Sequence, residues 1–272
     1  MKFKIDHDMH IHSNLSPCAY DPEQTAENIL KTAKRLGYKT ICLTDHFWDT
    51  AVESKVGIAW GKKNGLDHIS GYLPLPKDDE VTFLFGCEAD MDGDCTIGIS
   101  KEIYDKFDFI IVPTTHFHMQ RGEKWVGADS AKRAKYWVER FDALLNSDLP
   151  FGKVGLAHMT CPLIDKSAPR AFIKTIDLVP TEELVRLFTR AAELGLGIEI
   201  NYHDTTFCDE DTESVLRFYR TAKECGCKFY LGSDAHEQCD YEIDMVPCYE
   251  RMIDLLGLTE DDKFELVKAS RK

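Results

Sequence analysis

Short apolar runs alternate with amphipathic segments along the chain. FKIDHDMHIH (3–12), KTICLTD (39–45), VTFLFGCEA (81–89), FDFIIVPTTH (107–116), KVGLAHM (153–159), GIEINY (197–202) and KFYLGSD (228–234) read as strands. They are rich in β-branched and aromatic residues and bounded by polar or turn residues. Between them apolar residues recur at helical spacing near 22–36, 129–147, 180–194, 211–225 and 244–256. Asp21-Pro22 is expected to cap and open the first helix, and Pro180-Thr181 precedes a further one. Gly37, Gly195 and Gly226 stand where helices should stop. Strand–helix alternation of this kind implies a parallel sheet. With seven strands, no GxGxxG and no phosphate-binding loop, a closed barrel is expected rather than an open nucleotide-binding sheet. Residues 47–80 are the least regular and read as a long loop or lid. No repeat or linker interrupts the pattern, so residues 1–272 are expected to form one domain.

The polar positions inside these runs change the picture. Asp8, His10 and His12 alternate in the first run, and alternate side chains of a strand share a face. Burying such groups is costly unless something pairs with them, and a metal ion is the obvious partner. Asp45-His46 closes the second run, Glu88 the third, His116 the fourth, His158 the fifth, and Asp234 and His236 the seventh. His118, two positions beyond His116, is a weaker candidate. In a parallel barrel the C-terminal strand ends converge on one face, where active sites are built. A lone histidine there is ordinarily a hydrogen-bonded rim residue. So many at equivalent ends point to a multinuclear metal site. Imidazole with a few carboxylates suits zinc, manganese or ferrous iron better than calcium or magnesium. Two such ions can deprotonate a water and neutralise charge on an attacked phosphoryl or carbonyl group.

Composition narrows the class. The 272 residues are 43% hydrophobic and 11% aromatic, an ordinary globular balance. No apolar run is long enough for a membrane span, and the start, MKFKIDHD, lacks the apolar stretch of a signal peptide. A soluble, cytoplasmic protein is expected. The ten cysteines form no CxxC pair, which favours free thiols over disulfides or zinc fingers. A net charge of -14 without a Lys/Arg block argues against nucleic acid as partner. A small phosphorylated substrate fits better, because a few local cations override the global field.

DMHIH (8–12), LTDH (43–46), GCEAD (86–90), His116, GLAH (155–158) and GSDAH (232–236) resemble, in order and spacing, the motifs of the PHP (polymerase and histidinol phosphatase) family. The chain is similar in size to stand-alone histidinol-phosphate phosphatases. The resemblance implies an α/β fold, a distorted (β/α)7 TIM-like barrel, with two or three divalent transition-metal ions (zinc, manganese or iron). His10, His12, Glu88 and Asp234 would hold the first. Glu88 would bridge to a second, bound also by His116 and His158. A third would use His46 and His236, with Asp8 and Asp45 orienting the histidines beside them. Many such enzymes carry another histidine six positions after the second of HxH; this chain has Cys18. That thiol is either a zinc-binding thiolate or a buried loop thiol.

The activity implied is hydrolysis of a small phosphate monoester, histidinol phosphate or similar, by a metal-bridging hydroxide. Glu88, Asp234 and His236 would be catalytic, and His236 would protonate the leaving alkoxide if the third ion is absent. Arg121, Arg170 and His203 follow strands closely enough to reach substrate, and arginine suits phosphate oxygens. His7 is expected to be structural and His68 exposed. The alternatives are a PHP-type nuclease or exonuclease, a metal-dependent amide or lactone hydrolase, and a metal-binding module without activity.

Overall fold

The computed structural model describes residues 1–57, 64–119 and 128–266. Its strands are β1 (His7–Ile11), β2 (Thr40–Leu43), β3 (His46–Phe47), β4 (Thr82–Ala89), β5 (Phe109–Pro113), β6 (Val154–Ala157), β7 (Gly197–Asn201) and β8 (Lys228–Gly232). Every pairing between them is parallel, in the order β1-β2-β4-β5-β6-β7-β8, with β3 on the end of β4. The circle closes between the first and last strands. Asp234 N donates to His10 O at 2.8 Å and His12 N to Ala235 O at 3.0 Å. All seven expected strands are present, each shorter than its apolar run, in an α/β TIM-like barrel.

Helices α1 (Ala26–Leu36), α2 (Leu66–Ile69), α3 (Ser130–Leu145), α4 (Ala171–Asp177), α5 (Thr181–Leu194), α6 (Tyr202–Thr205), α7 (Thr212–Glu224) and α8 (Val246–Leu256) fill the connections. In α5 the buried residues Leu184, Leu187, Phe188 and Ala191 follow the i, i+3, i+4, i+7 stripe. In α1 the stripe Ile29, Leu30 and Ala33 covers Ile41 and Leu43 of β2. Each leucine, isoleucine or phenylalanine among these contributes about 1.5–3 kcal/mol on burial.

The first helix begins four residues later than expected. Asp21 caps a turn, accepting from Glu23 N and Gln238 N, each at 2.9 Å. Thr25 is the helix N-cap and accepts from Asn28 N. The short α4 has no counterpart in the expected helices. The 47–80 stretch is not loop throughout, since it carries Phe47 of β3 and α2.

The barrel interior is a separate apolar layer of Met9, Cys42, Phe109, Ile111, Ala157 and Tyr230, with Leu84, Phe264 and Leu266 against it. Gly155 is glycine for room: an added Cβ would lie 2.4 Å from Tyr230 Oη and 2.7 Å from the Phe109 ring.

One irregularity decides what faces this interior. Asp8 pairs with Ile41 but Ile11 pairs with Leu43, so three steps along β1 match two along β2. This is a β-bulge. Ile11, Ile41 and Leu43 share the outer layer under α1, whereas Met9 and Cys42 face inward. The extra residue lets His10 turn inward beside Met9, and it leaves Asp8 on the outer side.

Candidate metal centre

The strand ends bring the candidate ligands together around one carboxylate. Glu88, near the end of β4, is 1% exposed. Its Oε1 lies 3.2 Å from His158 Nε2 and 3.6 Å from His116 Nε2. Its Oε2 lies 3.0 Å from His46 Nδ1, 3.5 Å from His12 Nε2 and 3.8 Å from His10 Nε2. Thus the two oxygens face two different sets of imidazoles.

On the Oε2 side, His10 Nε2 and His12 Nε2 are 3.1 Å apart, and each is 3.2 Å from Asp234 Oδ1. Four donors at about 2.0–2.1 Å from a zinc ion sit about 3.3 Å from one another in a tetrahedron. The separations of His10 and His12 from one another, from Asp234 and from Glu88 run from 3.1 to 3.8 Å, near that length, so these donors fit a small divalent ion. Two buried imidazole nitrogens facing each other across two carboxylates are what a cation would organise. His10, Glu88 and His158 also form a set of converging donors, as do His12, His46 and Glu88, and His46, Asp90 and His116.

The backbone is bent to achieve this. His158 and Asp234 follow the ends of β6 and β8 with φ of 27° and 58°. Non-glycine residues in such conformations cost of order 1–3 kcal/mol and cluster at functional sites. In four of the rings, those of His10, His12, His158 and His236, the second nitrogen is held from behind. His10 Nδ1 meets Glu199 Oε1 at 2.8 Å, His12 Nδ1 meets Ser16 Oγ at 3.1 Å, and His158 Nδ1 meets Thr115 Oγ1 at 2.6 Å. His236 Nδ1 lies 2.7 Å from Asp234 O. A hydrogen bond at Nδ1 orients the ring and leaves Nε2 for a ligand.

Electrostatics follow from burial and from this crowding. Burial opposes charge on Glu88, but His46 and His116 outweigh it and hold its carboxyl well below the usual range. Burial likewise opposes charge on His10, yet Asp234 and Glu199 raise it well above an ordinary histidine. Burial, with His236 beside it, pushes His12 down to about 3.

Cys18 lies with His12 and His236 in a further group of converging donors. Burial works against its thiolate, but the adjacent His46 and His236 bring the thiol down to about 6.

Other expected residues lie elsewhere or do something different. The bulge leaves Asp8 on the outer side, where its Oδ1 accepts from Ser233 N at 2.9 Å and from the backbone N of His10 at 3.3 Å. Asp45 holds the turn after β1 through Ser13 N and Ser13 Oγ, each at 2.6 Å. Arg170 is paired with Asp211 (2.5 and 3.0 Å) and Glu210 (2.8 Å), so its fork is already occupied by carboxylates. His203 sits exposed in α6, just past β7. Buried His7 accepts from Leu231 N at 3.0 Å, and exposed His68 reaches Leu15 O at 2.8 Å. Arg121 and the His118 side chain lie outside the described residues.

The sequence reading missed two carboxylates. Asp90 lies 2.9 Å from His46 Nδ1 and 3.9 Å from His116 Nδ1. Its signal was the two-residue step from Glu88 along the same strand face. Glu199 carried a signal too, as the lone acid inside the apolar run GIEIN.

Comparison with known proteins agrees with this geometry. The PHP domain family matches residues 8–203. No curated protein matches the chain by sequence. Among solved structures, the histidinol phosphate phosphatase of Lactococcus lactis subsp. lactis, in complex with zinc, L-histidinol and phosphate, superposes with a TM-score of 0.57. The alignment covers 96% of this chain and 98% of that one at 16% identity, a likeness of fold. The chain belongs to the PHP domain family.

Proposed function

We propose that this protein is a metal-dependent phosphoesterase that hydrolyses a small phosphate monoester, with histidinol phosphate the first compound to try. The observation that carries the reading is the buried Glu88 carboxylate, whose two oxygens face two imidazole sets. In this reading His10, His12, Asp234 and Glu88 hold one divalent ion. Glu88, His116 and His158 hold a second. Such ions, when bound, supply an activated water at neutral pH and neutralise charge on phosphoryl oxygens.

The chain's own residues set the stage for that chemistry. Glu88 fixes the spacing of the two sites, and Asp234 adds negative charge to one of them. His236 stands at the mouth, held through Nδ1 by Asp234 O. Its burial is outweighed by Cys18 and Asp234, which raise it to about 9. It can therefore deliver a proton to a leaving alkoxide when no ion occupies its own site. In this reading exposed His203, just past β7, contacts substrate, whereas Arg170, paired with Asp211 and Glu210, is the weaker candidate. The net charge of -14 disfavours a polyanionic substrate, so a nuclease role ranks second.

Cys18, His46 and His236 form the third site in this reading, with a thiolate in place of a further imidazole. A thiolate favours zinc over manganese there. Cys18→Ser should lower the metal count by one and leave the pair around Glu88. Cys18→His should restore it. An unchanged count in Cys18→Ser makes Cys18 a packed loop thiol and leaves His46 and His236 to hold any third ion with water.

The direct test of the reaction is a screen of phosphorylated metabolites with zinc- or manganese-reconstituted protein, run beside single-stranded DNA. Phosphate release from monoesters, with DNA cut much more slowly at moderate salt, supports the reading. Efficient DNA degradation that disappears in Glu88→Gln would transfer the assignment to a nuclease.

A further inference from the structure

We infer that Glu199 is a positioning residue that ties the two halves of the metal centre together; this rests on the two-ion reading of Glu88. Glu199 is on β7 between Ile198 and Ile200, which face the outer core. Strand alternation therefore turns it into the barrel, where it is fully buried. Its Oε1 lies 2.8 Å from His10 Nδ1, and its Oε2 accepts from His158 N at 2.7 Å. One carboxylate thus fixes a ring on β1 and the backbone after β6, the residues assigned to opposite sides of Glu88.

To reach His10 the side chain must cross β8, which lies between β7 and β1. It does so over Gly232. A Cβ there would sit 1.9 Å from Glu199 Oε1 and 2.6 Å from His10 Cβ. The missing side chain on β8 is what makes the crossing sterically allowed.

The chemistry of the two contacts explains the residue type. Both partners are donors: the Nδ1–H of His10, in the tautomer that turns Nε2 to the ion, and the N–H of His158. An ionised carboxylate is acceptor-only and satisfies both. A glutamine would satisfy one and present its own N–H to the other. The contact to His158 N also anchors the residue whose φ is 27°, and so sets where its ring points. Neither partner is a lysine or arginine, and a buried carboxylate held only this way is an expensive device for folding alone. It is a reasonable one for orienting ligands, because partners behind metal-binding histidines typically change metal affinity 10- to 100-fold.

The test is zinc affinity by chelator competition on the wild type, Glu199→Gln and Glu199→Asp, with the melting temperature of each metal-free protein. Zinc should bind about 10- to 100-fold more weakly at both principal sites in Glu199→Gln. The metal-free melting temperature should stay level or rise. Glu199→Asp keeps the charge but withdraws both oxygens by one methylene, so its affinity should fall as well. Wild-type zinc affinity in either variant overturns the inference. A lowered metal-free melting temperature with unchanged affinity does the same, by making Glu199 merely structural. Failure of the wild type itself to bind zinc is a different result: it removes the two-ion reading, and this inference with it.

Discussion

The interior of the barrel and its C-terminal mouth are built on the same strands and are equally buried, yet they are held by opposite physics. In the interior, Phe109, Ile111, Tyr230 and Met9 fill the space with apolar surface, which favours folding wherever it is packed. At the mouth, His10, His12, Glu88, His116 and His158 are just as inaccessible, but each is ionisable and costly to bury. The interior is a contribution to stability. The mouth is a cost to stability that makes sense only if a cation completes it. Perturbing each region should accordingly move different observables.

The largest effect is expected at the mouth. Glu88→Gln keeps the shape and removes the shared charge, so turnover in the proposed phosphoester hydrolysis should fall by more than the roughly 100-fold that loss of an orienting partner costs. Steady-state kinetics with an excess of metal checks this, and near-normal turnover would break the comparison. In the interior, Phe109→Ala should destabilise the protein by about 3–5 kcal/mol. The surviving folded protein should still bind its full complement of ions. Denaturant unfolding and metal analysis on the same sample separate the two.

Chelation comes next in size. Removing the ions should lower stability by about 2.7 kcal/mol for each site that was loaded at a hundredfold excess over its Kd. The apolar interior should keep the stripped protein folded, which calorimetry with and without chelator will show.

The smallest effect concerns His7, at the base of β1. Burial outweighs the help of Asp6 and pushes its ring below the ordinary value of 6.5, in keeping with Nε2 accepting from Leu231 N. On acidification the unfolded chain takes up this proton first. Its stabilising contribution is therefore present above pH 6.5 and is lost as the pH falls through the folded-state value. In metal-free protein, His7→Gln should flatten the fall in melting temperature below that pH. An unaltered slope would assign the acid sensitivity to the mouth.

Much of this division was legible in the sequence, for a physical reason. Strand ends are marked where an apolar run stops at an ionisable residue, as at Glu88 and His158, with His116 three residues past the end of β5. Helix stops were marked by Gly37, Gly195 and Gly226, all of which adopt positive φ. What escaped were departures from period two and contacts between distant strands. Asp8 was placed with His10 because alternation is assumed to persist, and the bulge between Asp8 and Ile11 breaks it. Glu199 escaped because its partners, His10 and His158, come from two other strands. Asp21 looked like a helix cap because Pro22 follows it, whereas its carboxylate closes a turn and meets Gln238 from the far end of the chain.

The most direct test of the central claim is metal stoichiometry, measured by mass spectrometry on wild type and Glu88→Gln after reconstitution with zinc or manganese. The account predicts two or three ions per wild-type chain, with both ions that share Glu88 weakened or lost in the variant. A wild-type protein that retains no transition metal after reconstitution, or a Glu88→Gln protein that retains the full complement, would contradict it.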